Sequence, residues 1–249
     1  MIDFNFEELK KIISELNIEV ERIKLSDIDV KIKEDLSPLT KADVYVNAKL
    51  CDFVKKTSVK NIISEEQHIQ NYNLRSKWDK YWIIDPIDGT KEFIKKSSNY
   101  TINIALCQKS KPIFGIVSRP ATNDIYYAFK NGGAYLNGHL LKTEKQPFKK
   151  IRIVASSSHI NQQTESFIKN LSKKGPIEIK KYGSSLKICK IAEGEADIYP
   201  RFAPTMEWDT CAAQIILEES GGTVTDIEMN PLSYNKKNLV NPFFIAQKI

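Results

Sequence analysis

Between Tyr81 and Phe93 the chain reads YWIIDPIDGTKEF, and no other stretch restricts the fold as much. The apolar run Trp82-Ile83-Ile84, closed off by Pro86 and Gly89, reads as a buried strand. It empties directly into Asp85 and Asp88. Two carboxylates this close repel each other unless a cation lies between them. Pro86 fixes its own φ and restricts the residue before it, so the turn that carries the acids is stiff. Hard oxygen ligands of this kind suit Mg2+, which takes one or two carboxylates, waters and a substrate phosphate. Gly89 and Thr90 then lead into a helical turn, TKEFIKK, whose amides offer a seat for phosphate. The competing reading is an acidic surface turn in which Asp88 caps that helix.

Two more acidic positions bear on that choice. In NIISEEQ, Glu65 and Glu66 follow a second short apolar strand, and in MEWDTCAAQ, Asp209 stands where an amphipathic helix with Ala212, Ile215 and Ile216 begins. Alone, Asp209 reads as an N-cap and the glutamates as a solvated loop. Together, three element ends carrying acids predict convergence on a metal.

The surrounding texture sets the fold class. Leu9, Ile12, Ile13 and Leu16 predict one helix, and Val46, Leu50, Phe53 and Val54 a second, with SPLT as punctuation between them. The segments NII, WII, TINIALC, PIFGIVS, DIYYAF and GAYLNG then follow without a helix-length pattern after Tyr100, which predicts an antiparallel sheet. From IRIVAS onward strands and helices alternate, through ESFIKNL, IEIKKY, SSLKICKIAE, DIYPRF, WDTCAAQIILEES, GTVTDI and FFIAQ, the pattern of an α/β half. A chain of 249 residues, 41% hydrophobic, holds one large core or two modest ones. The boundary falls near Lys145 to Lys150, dividing residues 1–147 from 148–249.

Charge and cysteine usage exclude several function classes. The net charge of +6 invites a nucleic-acid partner, yet the lysines are scattered as short pairs among 31 acids, the pattern of a solvated surface. Cys51, Cys107, Cys189 and Cys211 lie far apart with no CxxC pair, so they read as reduced core residues. The opening MIDFNFEELKK has no basic region followed by an apolar one, and no apolar run approaches the ~20 residues of a membrane span. A cytoplasmic chain is the expectation, with peripheral membrane association and oligomeric state left open.

The sequence resembles the Mg2+-dependent, lithium-sensitive phosphatases of the inositol monophosphatase superfamily over nearly its whole length, through WIIDPIDGT and WDTCAAQIILEESGG. Within that superfamily it is similar to the 3'(2'),5'-bisphosphate nucleotidases of the CysQ type, through SPLTKAD, ISEE, DPIDGTKEFI, SSSH, YGSSLKICKIAEGEADIYPRF and PTMEWDT. Ala213 departs from a glycine common at its place. The resemblance implies a layered αβαβα sandwich of mixed α and β structure, like that of inositol monophosphatase and fructose bisphosphatase. It implies two to three Mg2+ ions held by Glu65, Asp85, the Ile87 carbonyl, Asp88 and Asp209. Thr90 and Asp43 would orient the attacking water beside Glu65, although Thr40 to Asp43 also matches the T-x-x-D form of a capping box. Substrate would meet Glu65, Ile87, Asp88, Gly89, Thr90, His159, Ser184, Lys187, Arg201 and Asp209. His68 and His139 read as surface residues. The implied activity converts adenosine 3',5'-bisphosphate, a by-product of sulfate assimilation, to AMP and phosphate. An inositol or sugar phosphatase is the nearest alternative, and a non-catalytic nucleotide-binding regulator is the alternative from another class.

Overall fold

Strand β4 (Lys80–Asp88) organises the molecule because it is buried on both faces. In the computed structural model, which describes residues 4–26, 30–33, 37–142, 150–156 and 161–248, Trp82 and Ile84 face one core while Tyr81 and Ile83 face another. This is why the strand reads as an unbroken apolar run rather than an alternating one.

The first core lies beneath two N-terminal helices, α1 (Phe6–Leu25) and α2 (Lys41–Lys56). Leu9, Ile13, Leu16 and Val20 recur at helical spacing along the buried side of α1, and burying each such side chain stabilises by about 1.5–3 kcal/mol. Asn5 caps α1 by accepting the Glu8 N–H at 3.1 Å. Thr40 and Asp43 form the expected capping box at the start of α2. The SPLT segment is more than punctuation. There β2 (Pro38–Thr40) pairs antiparallel with β1 (Val30–Ile32).

Among the described residues, β4 belongs to a seven-stranded sheet. Its strands in order are β3 (Ile62–Ser64), β4, β5 (Thr101–Gln108), β6 (Lys111–Arg119), β7 (Asp124–Phe129), β8 (Gly133–Leu136) and β9 (His139–Leu141). From β4 to β9 every pairing is antiparallel, as predicted, but β3 runs parallel to β4 and so delivers Glu65 to the same sheet end as Asp85. A parallel neighbour leaves no trace in a three-residue apolar run. Strand β9 also escapes the pattern, because His139 and Leu140 are exposed. Short helices α3 (Tyr72–Arg75) and α4 (Thr90–Ile94) flank β4 in sequence.

The second half supplies β10 (Ile151–Ser156), α5 (Gln162–Ser172), β11 (Ile177–Tyr182), α6 (Leu186–Ala192), β12 (Ile198–Arg201), α7 (Cys211–Glu219), β13 (Gly222–Asp226) and β14 (Phe244–Lys248). Its five strands lie in the order β11-β10-β12-β14-β13, parallel from β11 to β12 and antiparallel beyond. Helices α6 and α7 are sandwiched between the two sheets in one continuous core that includes Tyr81, Ile83, Leu186, Ile215, Val224 and Phe244. The layers therefore run α1/α2, seven-stranded sheet, α6/α7, five-stranded sheet, α5, an αβαβα sandwich. The 147/148 boundary lies outside the described residues, and the second core draws side chains from both sides of it. Among the described residues no helix is long and apolar enough to cross a membrane.

Helix α7 presses onto β6 at Gly115, where an added Cβ would stand 2.7 Å from the Ala212 carbonyl and 2.8 Å from Ile215. A backbone contact that close cannot yield without moving the helix. Gly115→Ala is therefore expected to destabilise by about 1–3 kcal/mol, with roughly 2–4 °C of Tm per kcal/mol in a chain of this size. Thermal unfolding beside wild type measures it, and an unchanged Tm would show that α7 has room to shift.

Candidate metal and phosphate site

On a regular strand, side chains three residues apart point to opposite faces. The pairing of β4 with β5 avoids this: Asp85 lies opposite Asn103 and Asp88 opposite Thr101, so β4 accommodates one extra residue as a bulge between them. Both carboxylates consequently face the same side. Asp209 joins them from the 3-10 turn Glu207–Asp209 ahead of α7, and among the described residues the three offer oxygens all within 4.8 Å of one another.

Asp85 is 1% exposed, and among the described residues neither of its carboxylate oxygens has a hydrogen-bond donor. A buried, unpartnered carboxylate is among the costliest arrangements in a protein interior, and a cation at this point removes the cost. The donor set, three carboxylates and the neighbouring Ile87 carbonyl, is the all-oxygen kind that Mg2+ prefers. Burial pushes Asp85 well above the usual carboxylate range, with Glu65 and Asp88 adding to it, and pushes Asp209 up to about 8. Asp88 is likewise raised by burial, against the opposing pull of Lys187.

Two backbone amides aim the outer carboxylates. The Ser185 N–H donates to Asp88 Oδ2 at 2.6 Å, and the Met206 N–H donates to Asp209 Oδ2 at 2.9 Å. Neither acid takes the capping role open to it from sequence. Gly89, at φ +89°, holds the N-cap position of α4, and Thr210 holds that of α7.

Glu65 is not one of this mutually close trio, but its carboxylate adjoins Asp85. Lys33 reaches from the end of β1 to place its ammonium 2.8 Å from both Glu65 and Glu66, so the glutamates are not the solvated loop that sequence alone suggests. Burial raises the Glu65 carboxyl while Lys33 opposes that shift. The Thr90 hydroxyl donates to the Ile87 carbonyl at 3.1 Å. Asp43 Oδ2 accepts both the Thr40 N–H at 2.8 Å and its hydroxyl at 2.5 Å, and burial pushes Asp43 up to about 7. Thr90 and Asp43 thus have separate partners, Ile87 and Thr40.

Beside the acids a cavity of about 160 Å3 is lined by Asp88, Gly89, Ser184, Lys187, Arg201 and Asp209, together with Glu92, Tyr199 and Thr205. Lys187 is 7% exposed, lies 5.4 Å from the Tyr199 ring, and has no hydrogen-bonded carboxylate among the described residues. Burial lowers it to about 8. Arg201 donates to the Pro204 carbonyl, and its buried Nε has no partner. Ser184, in the left-handed region at φ 58°, joins Thr101, Ser185 and Asn103 in a hydroxyl and amide network beneath Asp88. A second cavity of about 320 Å3 shares Glu92, Tyr199 and Arg201 with the first and continues to Lys91, Thr164 and Phe202. Of the predicted contacts, His159 lies outside the described residues. Glu92 and Tyr199 were missed; the one sits in DGTKEF and the other in DIYPRF, but nothing in either segment marks which side chain faces a cavity.

The model of the inositol monophosphatase family matches residues 1–245. The 3'(2'),5'-bisphosphate nucleotidase CysQ of Escherichia coli K12 is 34% identical over 220 residues, covering 87% of this chain and 88% of that protein. The crystal structure of CysQ from Bacteroides thetaiotaomicron, a bacterial member of the same family, superposes with a TM-score of 0.85 at 35% identity, covering 98% of both chains. An IMPase/NADP phosphatase solved with Mg2+ and phosphate shares the fold at a TM-score of 0.79 and 18% identity, covering 97% of this chain and 91% of that one.

The raised acids set a pH dependence. With Asp209 near 8, Asp43 near 7 and Asp85 also raised, the metal-free folded state retains protons that the unfolded chain releases near pH 4. The folded state then binds more protons, so stability falls as pH rises from about 4 through 8, by about 1 kcal/mol per pH unit for each proton fully retained. Tm in EDTA is expected to drop between pH 5.5 and 8, and the Tm rise on adding Mg2+ to grow over the same interval. A flat profile in EDTA would show that the cluster is ionised without metal.

Proposed function

The chain belongs to the inositol monophosphatase family, and from that membership we propose that it is a Mg2+-dependent 3'(2'),5'-bisphosphate nucleotidase, converting adenosine 3',5'-bisphosphate to AMP and phosphate. The observation that carries this reading within the family is Lys187 and Arg201. Lys187, which is buried, and Arg201, which is half-buried with a buried, unpartnered Nε among the described residues, line the same small cavity as Asp88 and Asp209. A substrate with a second phosphate satisfies them, whereas an inositol monophosphate has nothing to offer there. The named relatives support the same substrate class.

In this reading Asp85, Asp88, Asp209, Glu65 and the Ile87 carbonyl hold two to three Mg2+ ions. Bound there, the ions supply an activated water and charge stabilisation for the leaving oxygen. The chain's own residues do the rest. Ser185 and Met206 fix the two outer carboxylates, and the β4 bulge fixes their spacing. Thr90 and Asp43 orient the attacking water, and a carboxyl near 7 is suited to accepting a proton. Lys187 and Arg201 hold the 5'-phosphate, with Ser184, Gly89 and the segment of His159 as further contacts. The nucleoside extends past Glu92, Tyr199 and Arg201, which line both cavities, into the larger one. The proposed setting is the cytoplasm, in keeping with four free cysteines.

Asp209→Asn tests the metal role, since the neutral amide keeps the shape and an oxygen for the Met206 N–H. Turnover at millimolar Mg2+ is expected to be lost with Tm in EDTA maintained or raised; near-normal turnover would remove Asp209 from the ligand set. Substrate choice is tested by kcat/KM on adenosine 3',5'-bisphosphate and inositol 1-phosphate for wild type, Lys187→Ala and Arg201→Ala. Loss of a charge-assisted contact is expected to cost the nucleotide roughly ten- to a hundredfold and the inositol ester little. Equal falls on both esters would make the two cations general scaffolding, and a wild type that prefers inositol 1-phosphate would make the chain an inositol phosphatase.

A further inference from the structure

Glu207 is fully buried, two residues before Asp209, and it is absent from the acidic trio. Its carboxylate accepts the Asn235 N–H at 2.5 Å, the Lys236 N–H at 3.0 Å and the Lys236 ammonium at 2.6 Å. Asn235 is locked in turn to buried Arg75 by a reciprocal pair, Arg75 to Asn235 Oδ1 and Asn235 Nδ2 to the Arg75 carbonyl, both at 2.6 Å. A second Arg75 nitrogen donates to the Lys237 carbonyl. The same turn is gripped from its other side, where the Glu207 N–H donates to the Leu239 carbonyl and Asn241 donates to the Met206 carbonyl and the Thr210 hydroxyl.

Glu207 is the fully buried partner of this pair and Lys236 a half-buried one, and burying a charge is a poor way to gain stability, because an apolar side chain of the same volume fills such a space at no desolvation cost. What the charge adds here is direction. Among the described residues the Asp209 carboxylate is tied only to its own turn, through the Met206 N–H. Its position relative to Asp85 and Asp88 therefore depends on what anchors that turn to the rest of the chain. Resting on the reading of Asp209 as a metal ligand, we propose that Glu207 is a positioning residue: with Lys236 and Asn235 it holds the 206–210 turn in the place that lets Asp209 share a cation with Asp85 and Asp88.

The test follows Tm of metal-free protein against added Mg2+, a readout independent of turnover. Outer partners of metal ligands typically change metal affinity by about 10–100-fold when altered. Glu207→Gln is expected to raise the Mg2+ concentration for the half-maximal Tm rise by about tenfold or more, and Lys236→Ala, which leaves both backbone donors in place, to raise it in the same direction by less. Glu193→Gln serves as a control, since Glu193 sits in a separate polar cluster with Tyr126 and Lys190, and is expected to lower the starting Tm without moving the Mg2+ midpoint. A wild-type midpoint in both Glu207→Gln and Lys236→Ala overturns the proposal. Should Glu207→Gln not fold, the Lys236→Ala midpoint alone decides. A wild type whose Tm ignores Mg2+ defeats the metal reading itself, an outcome distinct from one in which wild type responds and the variants respond identically.

Discussion

Electrostatic repulsion inside a desolvated pocket is the constraint on which the rest of this molecule depends. Asp85 is buried with neither oxygen accepting a hydrogen bond among the described residues, and Asp88 and Asp209 stand within 4.8 Å of it. Water would relax such a group at once, so it persists only where the backbone around it is held on every side. The five layers supply that hold. β4 is fixed by cores on both faces, its bulge turns two acids the same way, and the turn ahead of α7 brings in the third acid.

The hydrogen bonds around the acids divide into two kinds. Backbone amides from Ser185 and Met206 reach the outer carboxylates and aim them without neutralising them. Cations are kept at one remove. Lys33 holds Glu65 and Glu66, Lys236 holds Glu207, and Lys187 projects into the adjoining cavity. Among the described residues Asp85 receives no hydrogen bond from a backbone amide or a cation. That arrangement leaves the centre of the cluster as the point of greatest unmet negative charge, and the neighbouring cavity as a point of unmet positive charge. A phosphate ester spanning both meets opposite demands at its two ends.

Much of this was legible in the sequence, and for identifiable reasons. The run from Trp82 to Asp88 announces a buried strand ending in acids, and the heptad-like spacing of α1 and α2 announces their buried sides. Helix and strand alternation after Ile151 appears in the structure element by element. What escaped depended on long-range pairing. The parallel alignment of β3 with β4 rests on a contact across about twenty residues, and the β1–β2 pair on two three-residue segments, the first of them exposed. The capping roles open to Asp88 and Asp209 failed because Gly89 and Thr210 occupy those positions, which local propensity could not rank. Glu92 and Tyr199 line the cavities only because α4 and β12 meet there.

The meeting of the two halves is where the site is made. Asp85 and Asp88 come from the seven-stranded sheet, whereas Ser184, Lys187, Arg201 and Asp209 come from elements beyond residue 180. The two groups are joined by the α6/α7 layer, whose side chains pack against both sheets in a single core. A shift of α7 along β6 would therefore move Asp209 relative to Asp85 and, through α6, Lys187 relative to both. Gly115 permits the close approach that sets the first distance, and the Ser185 amide on Asp88 sets the second. Acidic cluster and cationic cavity are in this sense one geometric unit: the packing that brings the acids together also fixes how far from them Lys187 and Arg201 lie.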